Sequence, residues 1–345
     1  MENTANKIAD ILHDYRSNDG IRIDINRILT WANQFEVNDR KFLLEELLNI
    51  LPKSYLSKPD AISGLKESLE FLTNKYGFDE TITFLQQSHF LNLQADHKSQ
   101  SVLLEFLNDL TKSEYGVDIK KGNSKAKYWV YLDDVFASGG SFKRDIIPLI
   151  SEFGVENFLG QEKKLINLSF FLHSWGFANT KFSLLNEFSR DFVRQIDWIR
   201  FEEIENHPRI NYYNPNPSFN NAFPVKRSDH EIFDEYLQTL TNADRNEEFA
   251  YRSPETPRVE AFFSSPENRV KYEWIILEKG IEIINRIEHI SRPIRPLGLV
   301  PPSYKTFGAG SHAFTWRNVS NTCPLVYWWE ANGWYPLFPV ANRGL

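Results

Sequence analysis

The sequence predicts an α/β fold: a parallel sheet flanked by helices, with an N-terminal helical extension and a C-terminal aromatic-rich cap. Three observations point there. The apolar run from Tyr128 to Phe136 contains Asp133 and Asp134 and passes through Gly139 and Gly140 into an amphipathic stretch, as a buried parallel strand turning into a helix does. Lys164 to His173 and Gln195 to Phe201 are further strand-like runs, and they alternate with helix-period stretches at 142–153 and 181–192. That alternation is the order of right-handed βαβ units and leads us to expect a doubly wound sheet. The first 78 residues, in contrast, carry mainly helical spacing.

In order along the chain, Ile8, Ile11 and Leu12 share a helical face, as do Ile28, Trp31, Ala32 and Phe35, and then Phe42, Leu43, Leu47, Leu48 and Leu51 before Pro52. Asp24 is placed to cap the second of these helices and Asp39 the third. Trp31 and Phe35 read as core. Thr81 to Phe84 fits a short strand or a helix end, and Ser88 to Leu93 a better strand, followed by a polar turn and a helix over 101–110. Lys120, Lys121, Lys125 and Lys127 then surround Gly122-Asn123-Ser124 in a basic loop. In the helix over 181–192, Phe182, Leu185 and Phe188 are expected inward. From Glu205 to Val225 four prolines and six asparagines interrupt any pattern, as in a loop that is functional or poorly ordered. Helices follow at 229–243 and 266–290, and an aromatic tail at 306–338 can finish the core or close over a ligand. The expected division is 1–78 as a helical extension, 79–204 as the α/β core, and 205–345 as insertion loop, helices and cap.

Composition narrows the function classes. The chain has 345 residues, 39 Lys and Arg against 46 Asp and Glu, and a net charge of −7, so a phosphate backbone is not the expected partner. A single cysteine, Cys323, excludes an internal disulfide and a multi-cysteine metal site and fits a reducing compartment. The first residues lack the pattern of a secretory signal, and no apolar run reaches the length that spans a bilayer. A cytoplasmic protein without a membrane partner is expected.

The chemistry concentrates in the stretch 128–141. Two acids at the carboxyl end of a parallel strand lie where open α/β sheets bind ligands. A turn of small residues and hydroxyls, Ala137-Ser138-Gly139-Gly140-Ser141, then opens a helix whose first N–H groups are free to meet a phosphate. Acids for hydroxyls and a cradle for phosphate together describe a sugar phosphate. A receiver domain would also place an acid pair at a strand end, but it wants a phosphoacceptor Asp closing a later strand, and Lys164 to His173 closes on His173 and Ser174.

This stretch resembles the phosphoribosyl pyrophosphate (PRPP) signature of type I phosphoribosyltransferases: four apolar residues, two acids, three loosely constrained positions, then hydroxyl, glycine, small residue and hydroxyl. The resemblance implies a type I phosphoribosyltransferase-like sheet in which Asp133 and Asp134 hold the ribose hydroxyls and act as the catalytic acids. It implies that Ala137, Ser138, Gly139, Gly140 and Ser141 wrap the 5′-phosphate, and that Mg²⁺ arrives with the ligand near the two acids. The segment before the signature carries the pyrophosphate loop in such enzymes, which makes Lys98, Ser99 and Gln100 the candidates here; an N-capping turn with a solvated lysine is the alternative. The basic loop at 118–127 stands where those enzymes have a mobile catalytic loop, and a solvated charge run reads equally well. Purine-type members place an acid where this chain has Ala137, so ordinary purine salvage is not the expected role.

Beyond the signature, Tyr15-Arg16, Trp31 with Gln34-Phe35, Gly308 to His312, and the segment from Asn321-Thr322-Cys323-Pro324 to Trp328-Trp329 resemble a bacterial phosphoribosyltransferase-like family linked to conflict and antiphage defence systems. That resemblance implies a ribosyl phosphate or nucleotide ligand and protein partners from a defence operon. Two functions follow: an enzyme transferring a ribosyl group, or a nucleotide-sensing or structural subunit without turnover.

Overall fold

The computed structural model describes residues 1–340 apart from 96–98, 124, 228–230, 241–242 and 244–248. The chain forms two compact units: Pro59–Glu203, and Met1–Lys58 together with Ile204–Leu345. Among the described residues no helix is long and apolar enough to cross a membrane.

The unit at 59–203 holds a four-stranded sheet of β2 (Ser88–Phe90), β3 (Tyr128–Phe136), β4 (Lys164–His173) and β5 (Ile196–Ile204), in that spatial order. β2 with β3 and β3 with β4 pair in parallel, with Tyr131 beside Asn167 and Asp133 beside Ser169. Every residue of β4 after Lys164 is buried, which explains its nearly unbroken apolar run. One face packs on α7 (Gly140–Phe153), α8 (Val155–Gly160), α9 (Ser174–Glu187) and α10 (Arg190–Arg194) through Trp129, Phe142, Ile146, Phe158, Leu184 and Phe192. The other face meets α4 (Lys58–Lys75) and α5 (Thr81–Gln86): Tyr128 lies 5.6 Å from the ring of Phe84, and Gly64 leaves room for Phe201 of β5 where a Cβ would sit 2.5 Å from its ring.

Strand order among the described residues never reverses, so the expected doubly wound pattern with its switch point is not formed. Instead α4 and α5, which precede the sheet in sequence, supply a layer on its second face. Thr81 to Phe84 resolves as helix. The expected helix at 181–192 is two: α9 starts at Ser174, directly after β4, and α10 is capped by Ser189, whose Oγ accepts from the Phe192 N–H at 3.1 Å. The early start sets the phase of α9, so Gly176, Thr180 and Leu184 face inward while Phe182 is 67 % exposed, against expectation.

In the other unit, α1 (Glu2–Ile11), α2 (Ile25–Ala32) and α3 (Val37–Ser54) pack with the aromatic tail. Asp24 caps α2 as expected, taking the Arg27 N–H at 2.9 Å. Asp39 does not cap α3; it lies within the first turn and pairs with Lys271 at 3.0 Å. Trp31 is fully buried, donates its Nε1–H to the Val326 carbonyl at 2.8 Å, and stacks on Tyr327. Tyr15 donates to the Pro339 carbonyl at 3.0 Å, and β1 (Tyr55–Leu56) pairs in parallel with β6 (Phe314–Thr315). The tail therefore completes a core. The irregular stretch after Glu205 is organised by that residue's carboxylate, which accepts from Asn214 Nδ2 at 2.7 Å, Ser218 Oγ at 2.6 Å and the Phe219 N–H at 3.1 Å.

Candidate functional site

β3 brings Asp133 and Asp134 to its carboxyl end, half-buried, just before the turn into α7. Oδ1 of Asp133 accepts the Asp134 N–H at 2.9 Å, and Oδ1 of Asp134 accepts the Val135 N–H at 2.9 Å. Each carboxyl is thus anchored by one oxygen to the backbone that follows it. The turn presents Ser138 and Gly140 to solvent, with Ala137 and Ser141 half-buried. Ser138 Oγ accepts from the Gly140 N–H at 3.3 Å, and the first turn of α7 closes with Lys143 N–H on the Gly139 carbonyl at 2.9 Å. The helix start lies in the turn that follows the acids, the placement an anion-binding N-terminus requires.

The two glycines differ. Gly139 has φ of +68°, and a Cβ there would sit 1.8 Å from Thr180 Oγ1 and 2.9 Å from the Phe136 ring. Both the left-handed backbone and the close approach of α9 demand glycine. Gly140 has only Ser138 Oγ, at 3.2 Å, near a would-be Cβ. Gly176 of α9 completes the arrangement, since a Cβ on it would meet the Ala137 carbonyl oxygen at 1.6 Å. The turn thus rests directly on α9.

A polar cluster supports the acids. Tyr131, two residues before Asp133 on the strand, donates its hydroxyl to Asp145 Oδ2 at 2.9 Å. Gln94 donates its Nε2–H groups to the same oxygen at 3.0 Å and to the Tyr131 hydroxyl at 3.1 Å. The Asp145 side chain is only 7 % exposed. Burial, then the charge of Asp134, then a hydrogen bond shared with the Asp134 carboxyl hold the Asp133 carboxyl well above the usual carboxylate range, and Asp145 adds to the effect. His173, at the end of β4, is pushed down to about 3 by burial and stays neutral.

Lys98, expected in a pyrophosphate loop, lies outside the described residues. Ser99 begins α6 (Ser99–Tyr115), and Gln100 is fully buried, with its Oε1 accepting the Leu93 N–H at 3.1 Å. Gln94 ties the segment after β2 to the signature. In the basic loop Lys120 pairs with Glu105 and Lys127 with Glu162, each at 3.2 Å, and the Asn123 N–H donates to His89 Nδ1 at 3.0 Å.

Gln94, Tyr131 and Asp145 were not singled out from the sequence. Two signals were present: Tyr131 shares the strand face of Asp133 by alternation, and Asp145 falls on the helix stripe of Phe142, Ile146 and Ile150, where an acid is out of place.

Among the described residues no group of three or more His, Cys, Asp or Glu could hold a metal by itself. The donor set suits a cation that keeps ligand phosphates and water as partners: two adjacent carboxyls, one with its negative charge disfavoured by its surroundings. On comparison with known proteins, the model of the family described as PRTase-CE matches residues 28–340. No curated protein and no solved structure matches the chain.

Proposed function

From the chain's membership of the PRTase-CE family, a phosphoribosyltransferase-like family to which it belongs over residues 28–340, we propose that the signature binds PRPP or a related ribosyl phosphate or nucleotide. The observation that carries this reading is the juxtaposition of Asp133 and Asp134 with the α7 turn: two carboxyls to accept ribose hydroxyls, and a helix N-terminus beside them for the 5′-phosphate. In this reading Asp133 and Asp134 would stand beside a Mg²⁺ brought by the ligand, and that ion would supply charge neutralisation for a pyrophosphate group. Transfer of the ribosyl unit by such a site needs orientation, charge neutralisation and exclusion of water.

Ala137 supports a role outside purine salvage, because it stands in the phosphate turn with no group that takes a proton from a base. The same observation favours a second reading, a ligand-sensing or structural subunit without turnover. The resemblance to conflict-associated proteins supports a cytoplasmic component of an antiphage defence system working with proteins from its own operon.

Isothermal titration with PRPP and Mg²⁺ tests the binding reading. Heat is expected from the wild type and not from the Asp133→Asn, Asp134→Asn double variant; equal binding by both would overturn the assignment. Phage plating on cells carrying the gene with its native neighbours tests the defence reading. Protection that survives in the double variant, at equal protein level, would remove the site from that role.

A further inference from the structure

A cavity of about 520 Å³ opens within the unit formed by 1–58 and 204–345, lined by Tyr236, Leu240, Ile284, Ile290 and Ile294. That volume holds a small organic molecule, and these side chains give it apolar walls. Ile290 is 36 % exposed, whereas Tyr236 and Ile294 are buried. Arg295 lines the same cavity and is only 3 % exposed. Its Nη1 donates to the carbonyls of Arg292 and Ile294, the latter at 3.0 Å, and its Nη2 reaches the Pro302 carbonyl at 3.5 Å. Its Nε–H is buried and has no acceptor among the described residues.

The carbonyls bring dipoles to Arg295 but no charge. Among the described residues no carboxylate pairs with it; the ionisable group that acts on it is Tyr236, which burial pushes up and keeps neutral at pH 7. A buried cation is costly unless an anion accompanies it, and burial accordingly pulls Arg295 below the usual arginine range. Holding the segment 292–302 in place accounts for the bonds of Nη1. It does not account for the edge formed by Nε and Nη2, the side on which a guanidinium grips a carboxylate with two parallel bonds, which here makes one long bond.

We propose that this cavity binds a small monocarboxylate with an apolar body, the carboxylate held by Arg295 and the body lying against Leu240, Ile284, Ile290 and Ile294. One guanidinium balances one negative charge, which matches a carboxylate better than a phosphate monoester carrying close to two. The site stands independently of the ligand reading given for the signature.

Isothermal titration of the full chain with octanoate tests the site, with octanol, acetate and octyl phosphate as companion probes. Octanoate should bind at one site per chain. Octanol lacks the charge and acetate lacks the body, so each should bind at least about tenfold more weakly, the equivalent of one charge-assisted hydrogen bond or two buried methylenes. Arg295→Met removes the charge and keeps an apolar side chain in its place; it should abolish the advantage of octanoate over octanol. Ile290→Asp sets a like charge at an exposed position of the cavity wall, so the fold should persist while octanoate binding weakens by about tenfold or more. If Arg295→Met loses its fold, Ile290→Asp decides. No octanoate heat from the wild type overturns the proposal. Octanol binding as tightly as octanoate removes Arg295 from the role, and tighter binding of octyl phosphate overturns the carboxylate assignment. Octanoate binding that is unchanged in Ile290→Asp places the ligand elsewhere and overturns the site.

Discussion

The hydroxyl of Tyr131 and the carboxylate of Asp145 meet at 2.9 Å, joining the signature strand to the helix that follows it. Because Gln94 donates to both groups, the bond belongs to a closed three-membered network. Tyr131→Phe should destabilise the protein by about 1–2 kcal/mol, the cost of a hydrogen bond to a charged, buried acceptor that keeps its second donor. Urea unfolding monitored by circular dichroism measures it. A double-mutant cycle with Gln94→Leu should show coupling between the two donors, and strict additivity would mean that they act on Asp145 independently.

The glycines of the turn should separate fold from binding. Gly139→Ala places a Cβ at a left-handed φ and against Thr180, so a loss of more than about 1 kcal/mol is expected in the same unfolding measurement. Gly140→Ala should change stability by no more than about 0.5–1 kcal/mol, because helix propensity offsets the contact with Ser138. Weaker PRPP binding in Gly140→Ala, with stability preserved, would then report on the cradle itself.

Stability should depend on pH in a direction unusual for an aspartate. Asp133 ionises at a higher pH in the folded protein than in the unfolded chain. Below the usual carboxylate pKa both states are neutral and nothing is lost. As pH rises past that value the unfolded chain ionises first, so stability falls until the folded carboxyl ionises as well. Melting temperature followed upward from pH 4 should decline more steeply in the wild type than in Asp133→Asn, and the variant should be the more stable protein at pH 7. Parallel curves would place Asp133 in an ordinary environment.

Two buried histidines act at the acid end. Burial lowers His173 and His312 to about 3, whereas the unfolded chain takes up protons near 6.5. Their contribution is fully present above about pH 6.5 and is lost progressively as pH falls from there toward 3. His312 lies among Phe262, Phe263, Phe314 and Tyr327, with its Nε2 bonded to the Tyr272 hydroxyl at 2.8 Å. His312→Gln should flatten the loss of stability between pH 6 and pH 4, although it lowers stability at pH 7 by opening space in that aromatic core. An unchanged slope would show that His312 already charges in the folded state.

Local pattern was enough to determine the signature strand, the acids at its end, the turn into α7 and the buried run of β4, because each depends on side-chain period and glycine placement within a dozen residues. Trp31 and Phe35 were likewise legible as core from helical spacing. Tertiary structure alone decided which elements cover the sheet: the preceding helices α4 and α5 supply a layer on one face, so strand order need not reverse. The inward face of α9 followed from where β4 releases the chain, a boundary that moves the helical phase and exposes Phe182. The buried charges of α13 (Pro266–Asn285) were illegible for the same reason. Arg269 and Glu273 sit on an inward face because Glu260 and Arg252 arrive from elsewhere to pair with them. Asp145 is the same case at the site: on its own helix it is an acid in an apolar stripe, and only the approach of Tyr131 and Gln94 makes its burial tolerable, since a buried charge needs donors that sequence spacing cannot supply.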